Sequence, residues 1–151
     1  MMEKTFQMQR KSVGDTAVDG LIAGLPAGLG MAIVLVLAGL LSGTPPPLTL
    51  GYFDPAQGGN WLLGLLAHLA VAAIYGVVFA LLTGVMGRIR TSLSRWVVGW
   101  GVMYGLALLA VAYGVWFTAV ASPLAQIPVW QMGLAHAGYG LILGLWLHKN
   151  S

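Results

Sequence analysis

Two histidines, His68 and His136, are the only charged or imidazole side chains inside the four long apolar runs of this sequence. An ionisable group in such surroundings is expensive to bury and is a candidate functional residue by default. Both occur in the same tripeptide, Leu66-Ala67-His68 and Leu134-Ala135-His136. Each stands seven residues into its run, counted from Trp61 and from Val129, which at the rise of a helix is roughly 10 Å deep. Two chemistries compete for the pair. In one, each neutral imidazole hydrogen-bonds a facing carbonyl or a tyrosine hydroxyl and fixes helix packing, at about 0.6 kcal/mol per bond. In the other, His68 and His136 are the axial ligands of one heme b, with iron held by the two Nε2 atoms and nearby glycines making room for the flat ring. A chlorophyll-type pigment on each histidine and a proton path are lesser variants.

The elements that must position these residues are legible directly. Hydrophobic residues make up 58% of the 151, and charged residues only 7%, where a soluble domain carries about a quarter. The apolar runs are Gly20 to Leu41, Trp61 to Met86, Trp96 to Val120 and Val129 to Leu147, of 19 to 26 residues each. A hydrocarbon core needs roughly 20 helical residues. The expected fold is therefore an all-α integral membrane protein: one domain over 1–151, four transmembrane helices (about 17–41, 61–86, 96–120 and 129–148) in an antiparallel bundle, a cytoplasmic arm over 1–14, and a Pro/Gly-rich outer loop over 42–60. The first run is too long for the h-region of a signal peptide. Absence of cysteine excludes disulfides and thiolate metal sites.

All seven basic residues fall in alternating segments: Lys4, Arg10 and Lys11 before the first run, Arg88, Arg90 and Arg95 between the second and third, Lys149 after the fourth. The positive-inside rule then predicts a multi-pass protein of the inner (plasma) membrane with both termini cytoplasmic and Asp54 and Ser122 external. The tryptophans mark the same borders, Trp61, Trp116 and Trp130 at the outer ends and Trp96, Trp100 and Trp146 at the inner ends. Pro45 to Pro47, Pro55 and Gly58-Gly59 predict an extended polyproline piece followed by turns in the outer loop.

Small residues recur at every fourth position, so each helix carries a packing seam; Gly24, Gly28, Gly76, Gly101, Gly105, Gly140 and Gly144 are expected against other helices. Gly24-x-x-x-Gly28-Leu29 matches Gly101-x-x-x-Gly105-Leu106, which together with the two Leu-Ala-His tripeptides suggests a duplicated helical hairpin. Asp15 and Asp19 suit the N-terminus of the first helix, and His148 the C-terminus of the fourth. Tyr75, Tyr104, Tyr113 and Tyr139 each precede a glycine, and each hydroxyl seeks a partner.

Catalytic patterns are absent: no HExxH, no GxSxG, no phosphate-binding glycine loop and no carboxylate pair within a span. An enzyme is not expected, and nucleic acid is excluded as a partner by so few basic residues. The segment Ala135-His136-Ala137-Gly138-Tyr139-Gly140 with Gly144 resembles a group of small uncharacterised prokaryotic four-helix membrane proteins built around H-x-x-Y-G-x-x-x-G. That resemblance implies a fold and no chemistry, and the second run departs from it, with His68 and Tyr75 seven apart. The expected role is a non-catalytic subunit of a larger membrane complex, of respiratory or photosynthetic kind, whose partners are the lipid bilayer, other subunits or copies of itself. The alternative is a small b-type cytochrome with one bis-His heme between the second and fourth helices; a channel or transporter is a weaker one.

Overall fold

The computed structural model describes residues 12–89 and 96–150. Lys4, Arg10, Lys11, Arg90 and Arg95, and with them most of the predicted cytoplasmic arm, lie outside the described residues. Those described form an all-helical chain: α1 (Val13–Leu41), α2 (Pro46–Gly51), α3 (Trp61–Ile89), α4 (Val97–Val111), a π-helical turn (Ala112–Trp116), α5 (Phe117–Ala119), a 3-10 turn (Pro123–Gln126) and α6 (Val129–Asn150). Three helical stretches, Val13–Leu41, Trp61–Met86 and Val97–Ala119, are long and apolar enough to cross a membrane.

α1 starts earlier than the apolar run because a cap is available. Ser12 Oγ accepts the Asp15 backbone N–H at 3.1 Å, and Asp15 Oδ2 accepts the Ser12 backbone N–H at 3.0 Å. This reciprocal capping box satisfies two donors that the first turn leaves without partners. The cap is thus Ser12, and Asp15 holds the third helical position rather than capping by itself.

The proline run corrects the expectation of an extended loop. Pro45 alone is extended, with φ −70° and ψ 150°, and the chain enters α2 at the next residue. Proline suits the first turn of a helix, where its missing N–H would have no partner and its fixed φ is already helical. α2 rests on the end of α1 and the start of α3: a Cβ on Gly39 would lie 2.7 Å from Thr49 Oγ1, and one on Gly64 would strike the Leu50 carbonyl.

Glycine governs the long-helix contacts. A Cβ on Gly24 would sit 2.6 Å from the Ala72 carbonyl oxygen and 2.8 Å from Ala73 Cα, and one on Gly76 would strike the Gly20 carbonyl. The second pair repeats the arrangement: Gly101 meets the Gly140 carbonyl, Gly105 the His136 carbonyl, and a Cβ on Gly144 would lie 2.8 Å from Val98 Cα. Matching His68 to His136 makes Ala72 the counterpart of Gly140 and Gly76 that of Gly144, and the contacts then correspond: Gly24 abuts Ala72 and Gly76 as Gly101 abuts Gly140 and Gly144. Added Cβ atoms at Gly24, Gly28, Gly76, Gly101, Gly105, Gly140 and Gly144 would each meet atoms of the adjoining long helix. In both pairs residue numbers fall along one helix as they rise along the other.

The two pairs join through α1 and α6, where Gly30 meets Ile142, Gly138 meets Val34, and Gln131 Nε2 donates to Ser42 Oγ at 2.8 Å. α3 and α4, in contrast, scarcely touch. Side-chain size is distributed in reverse of a soluble core. The buried face of α1 is Gly20, Ala23, Gly24, Ala27, Gly28, Met31, Ala32, Leu35, Ala38 and Gly39, while Leu21, Ile22, Leu25, Leu29, Ile33 and Leu37 face outward.

A methyl group has nowhere to go where the opposing atoms are backbone. Gly24→Ala and Gly140→Ala should each destabilise the fold by about 1–3 kcal/mol, the usual cost of overpacking. Gly99→Ala, whose new Cβ would meet nothing within 4 Å, should change stability by less than about 1 kcal/mol and in the stabilising direction, as helix propensity dictates. Denaturant titration of the purified protein in detergent reads all three; equal effects at Gly24 and Gly99 would refute the seam.

Candidate functional site

His68 and His136 line a single cavity of about 530 Å³. Its walls are α3 (Ala67, His68, Val71, Ala72, Tyr75), the last turn of α4 with the π turn, and α6 (Met132, His136, Tyr139); Met31 of α1 and the segments Tyr52–Gln57 and Phe117–Leu124 complete it. The cavity exists because α3 and α4 diverge. They are tied at one level, where Tyr104 donates its hydroxyl to the Tyr75 carbonyl at 2.9 Å and its ring leans on Phe79 at 5.0 Å. Beyond that tie the gap widens into the cleft.

The π turn lies on this cleft wall, contributing Ala112, Val115 and Trp116. A π turn adds a residue to a helical turn and leaves carbonyls without helical donors, and such turns are frequent at functional sites. Here Thr118 Oγ1 turns back to the carbonyls of Val115 at 2.8 Å and Gly114 at 3.2 Å. Tyr113 donates to the Ile127 carbonyl at 3.1 Å, fastening the turn to the segment that leads into α6.

Each imidazole is held by a backbone carbonyl. His68 Nε2 lies 3.0 Å from the Gly28 oxygen across the α1–α3 seam, and His136 Nδ1 lies 2.8 Å from the Met132 oxygen on its own helix. A carbonyl only accepts, so the hydrogen sits on Nε2 of His68 and on Nδ1 of His136. The Phe53 ring packs edge-on against His68 at 4.7 Å. Tyr139 donates to the Ala72 carbonyl at 2.7 Å, which links α6 to α3 beside the cavity.

The bis-His heme does not fit this arrangement. Ligation through both Nε2 atoms needs a lone pair on each, and Nε2 of His68 carries the hydrogen given to Gly28. The seams also face different neighbours, α3 toward α1 and α6 toward α4, so that helices two and four of the sequence reading are not packed along their lengths. Among the described residues no group of three or more histidine and carboxylate side chains could hold a metal ion.

Besides Thr49, which packs at Gly39, two buried polar residues escaped the sequence reading. Gln131 donates from α6 to the end of α1, to Ser42 Oγ and the Ala38 carbonyl; nothing in its local sequence signals this. Asp54, only 3% exposed, braces the loop before α3. Its Oδ1 accepts the Ala56 N–H at 3.0 Å, and its Oδ2 accepts those of Gly58 at 3.1 Å and Asn60 at 3.0 Å. An aspartate ahead of Pro55 and Gly58-Gly59 is a recognisable turn signal, but its burial is not.

In comparisons with known proteins, no family model, curated protein or solved structure matches this chain. The resemblance carried by His136, Tyr139, Gly140 and Gly144 rests on those residues alone.

The N–H groups of Asn60 and Ala56, with that of Gly58, hold the Asp54 carboxyl below its ordinary pKa, against the opposing effect of burial. A pKa depressed on folding contributes stability that is present above the unfolded value of about 4 and is lost as pH falls through the folded value. Amide protection at Ala56, Gly58 and Asn60, measured by hydrogen exchange, should therefore hold above about pH 4 and decline below it. Asp54→Ala should lower protection at these three amides even at neutral pH; unchanged protection would show that the carboxylate does not order the loop.

Proposed function

We propose that the chain is a four-span integral membrane protein of the plasma membrane, an antiparallel bundle of two duplicated hairpins that acts as a non-catalytic subunit of a larger membrane complex. The observation that carries the membrane reading is the reversed distribution of side-chain size on α1, with glycine and alanine inside and leucine and isoleucine outside. Water would drive those large side chains inward, whereas lipid offers them an environment as apolar as any core, so that close packing of small residues decides the contacts. The opposed registers of α1 with α3 and α4 with α6 support the antiparallel reading, and their corresponding glycine contacts support duplication. α6 is less apolar than the other long helices, but it packs against both α1 and α4, and the side chains it leaves outward, Leu134, Leu141 and Leu145 among them, are apolar.

Orientation follows from charge. The ends of α1 and α3 that meet at Gly20 and Gly76, and those of α4 and α6 that meet at Val98 and Gly144, all lead toward the basic segments. The positive-inside rule puts that side in the cytoplasm. The opposite side carries α2, Asp54 and the 3-10 turn.

The subunit reading rests on α4. Its one extensive neighbour is α6, and scarcely any of the Val97–Ala119 stretch is buried within the chain. The glycine seams, in contrast, are occupied by the chain's own helices, so a partner would meet α4 and the outer side of α3.

Because the chain has no cysteine, single cysteines report topology cleanly. With Ala56→Cys and Thr91→Cys, a membrane-impermeant maleimide should label position 56 in intact cells and position 91 only after permeabilisation; the reverse pattern would overturn the orientation. Extracted in a mild detergent, the native protein should run in an assembly much larger than its own 15.8 kDa. A monomer carrying only detergent and lipid would end the subunit reading.

A further inference from the structure

The cleft has an uneven supply of hydrogen-bonding groups. His136 Nδ1 is committed to Met132 and His68 Nε2 to Gly28, which leaves His136 Nε2 and His68 Nδ1 as bare lone pairs, acceptors with no hydrogen to give. Among the described residues neither atom has a hydrogen-bond partner, and neither is sealed off, since no side-chain nitrogen or oxygen there is both fully buried and unsatisfied. The Tyr139 hydroxyl gives its hydrogen to the Ala72 carbonyl and the Tyr104 hydroxyl gives its own to the Tyr75 carbonyl, so neither serves the imidazoles. The rest of the lining is mainly aliphatic and aromatic.

Two acceptor nitrogens on rings that line an apolar cleft ask for a donor on an apolar body. A volume of about 530 Å³ lies within the roughly 300–1,000 Å³ range of small-molecule sites. The divergence of α3 from α4 leaves one side of the cleft without a helix. In the membrane placement proposed above, on which this inference rests, that side faces lipid.

We propose that the cleft between α3 and α4 binds a lipid-soluble hydroxyl donor, of the hydroquinone class, that enters sideways from the bilayer and hydrogen-bonds His136 Nε2 and His68 Nδ1. A hydroquinone brings two hydroxyl donors on a flat ring, and the aromatic lining, Phe53 and Trp116 among it, suits a ring. Its oxidised form, a quinone, presents carbonyl oxygens to the same lone pairs and gains no bond from them. The site therefore discriminates by the presence of the hydroxyl hydrogen, since a buried acceptor left unpaired costs free energy. A long-chain aliphatic alcohol shares the donor and differs in the ring.

The protein in phosphatidylcholine nanodiscs, labelled with ¹⁵N at its imidazoles, is titrated with four probes: a short-chain ubiquinol analogue, the corresponding quinone, the di-O-methyl ether of the quinol, and farnesol. The expected result is a saturable shift of the His136 Nε2 resonance with the quinol. Affinity for the quinone and the ether should be weaker by about fivefold or more, the fold-change that one net hydrogen bond is worth. Farnesol binding tighter than the quinol, with the same shift, would keep the hydroxyl donor and assign it to an aliphatic alcohol. His136→Phe should narrow the difference between quinol and ether, since only the His68 acceptor remains, and the four-probe comparison on the unaltered protein stands even if that variant fails to fold. Equal binding of quinol, quinone and ether, or saturation without a shift at either histidine, would overturn the proposal. A protein that binds none of the probes, yet labels in cells with the topology given above, would lose the ligand and keep the membrane reading.

Discussion

Two helix pairs approach so closely that carbonyl oxygens of one helix occupy the space where side chains of the other would begin. Gly24 and Gly76 make this possible between α1 and α3, and Gly101, Gly105, Gly140 and Gly144 between α4 and α6. Everything else in the molecule is arranged around those contacts. The two pairs are joined chiefly along α1 and α6, with α3 tied to α6 and α4 by the Tyr139 and Tyr104 hydroxyls. The remaining side, between α3 and α4, is left open, and the cleft is the geometric consequence.

Polar side chains inside this frame are satisfied chiefly by backbone carbonyls of neighbouring helices. Tyr139 and Tyr104 both reach α3, at the carbonyls of Ala72 and Tyr75, and His68 reaches α1 at Gly28. A helical carbonyl already engaged within its helix keeps a second lone pair for such a donor. These bonds are individually modest, about 0.6 kcal/mol by measurements in membrane proteins, but each sets a direction. The His68 bond to Gly28 and the His136 bond to Met132 of its own helix decide which nitrogen of each ring carries the hydrogen, and both rings line the one cavity.

At the opposite end from the basic segments, the chain closes the hairpins with more structure than its composition suggests. α2 wedges between the end of α1 and the start of α3, and Asp54 gathers three N–H groups of the turn that follows. The π turn and Thr118 shape the end of α4 in the same region. The cleft is therefore walled by rigid helix on three sides and closed at its end by a loop that carries its own buried carboxylate.

The sequence by itself determined the helices and the residues able to pack them. Long apolar runs admit no other regular structure where water is scarce, and glycine at every fourth position must lie along one face of a helix, so the seams at Gly24, Gly101 and Gly140 were legible by counting. Local stereochemistry was less so: Pro45 to Pro47 satisfied both an extended segment and the first turn of a helix, and only the contacts of Thr49 with Gly39 and of Leu50 with Gly64 decided for the helix. Which seam meets which was beyond the sequence altogether, because glycine faces are chemically alike and carry no address. Pairing α3 with α1 placed His68 against the Gly28 carbonyl across that seam, while His136 took the Met132 carbonyl of its own helix, so the two rings are held by different partners. It also brought both rings to one cavity, since that outcome depends on how two hairpins lean on each other, a property of their joint packing and of neither sequence segment alone.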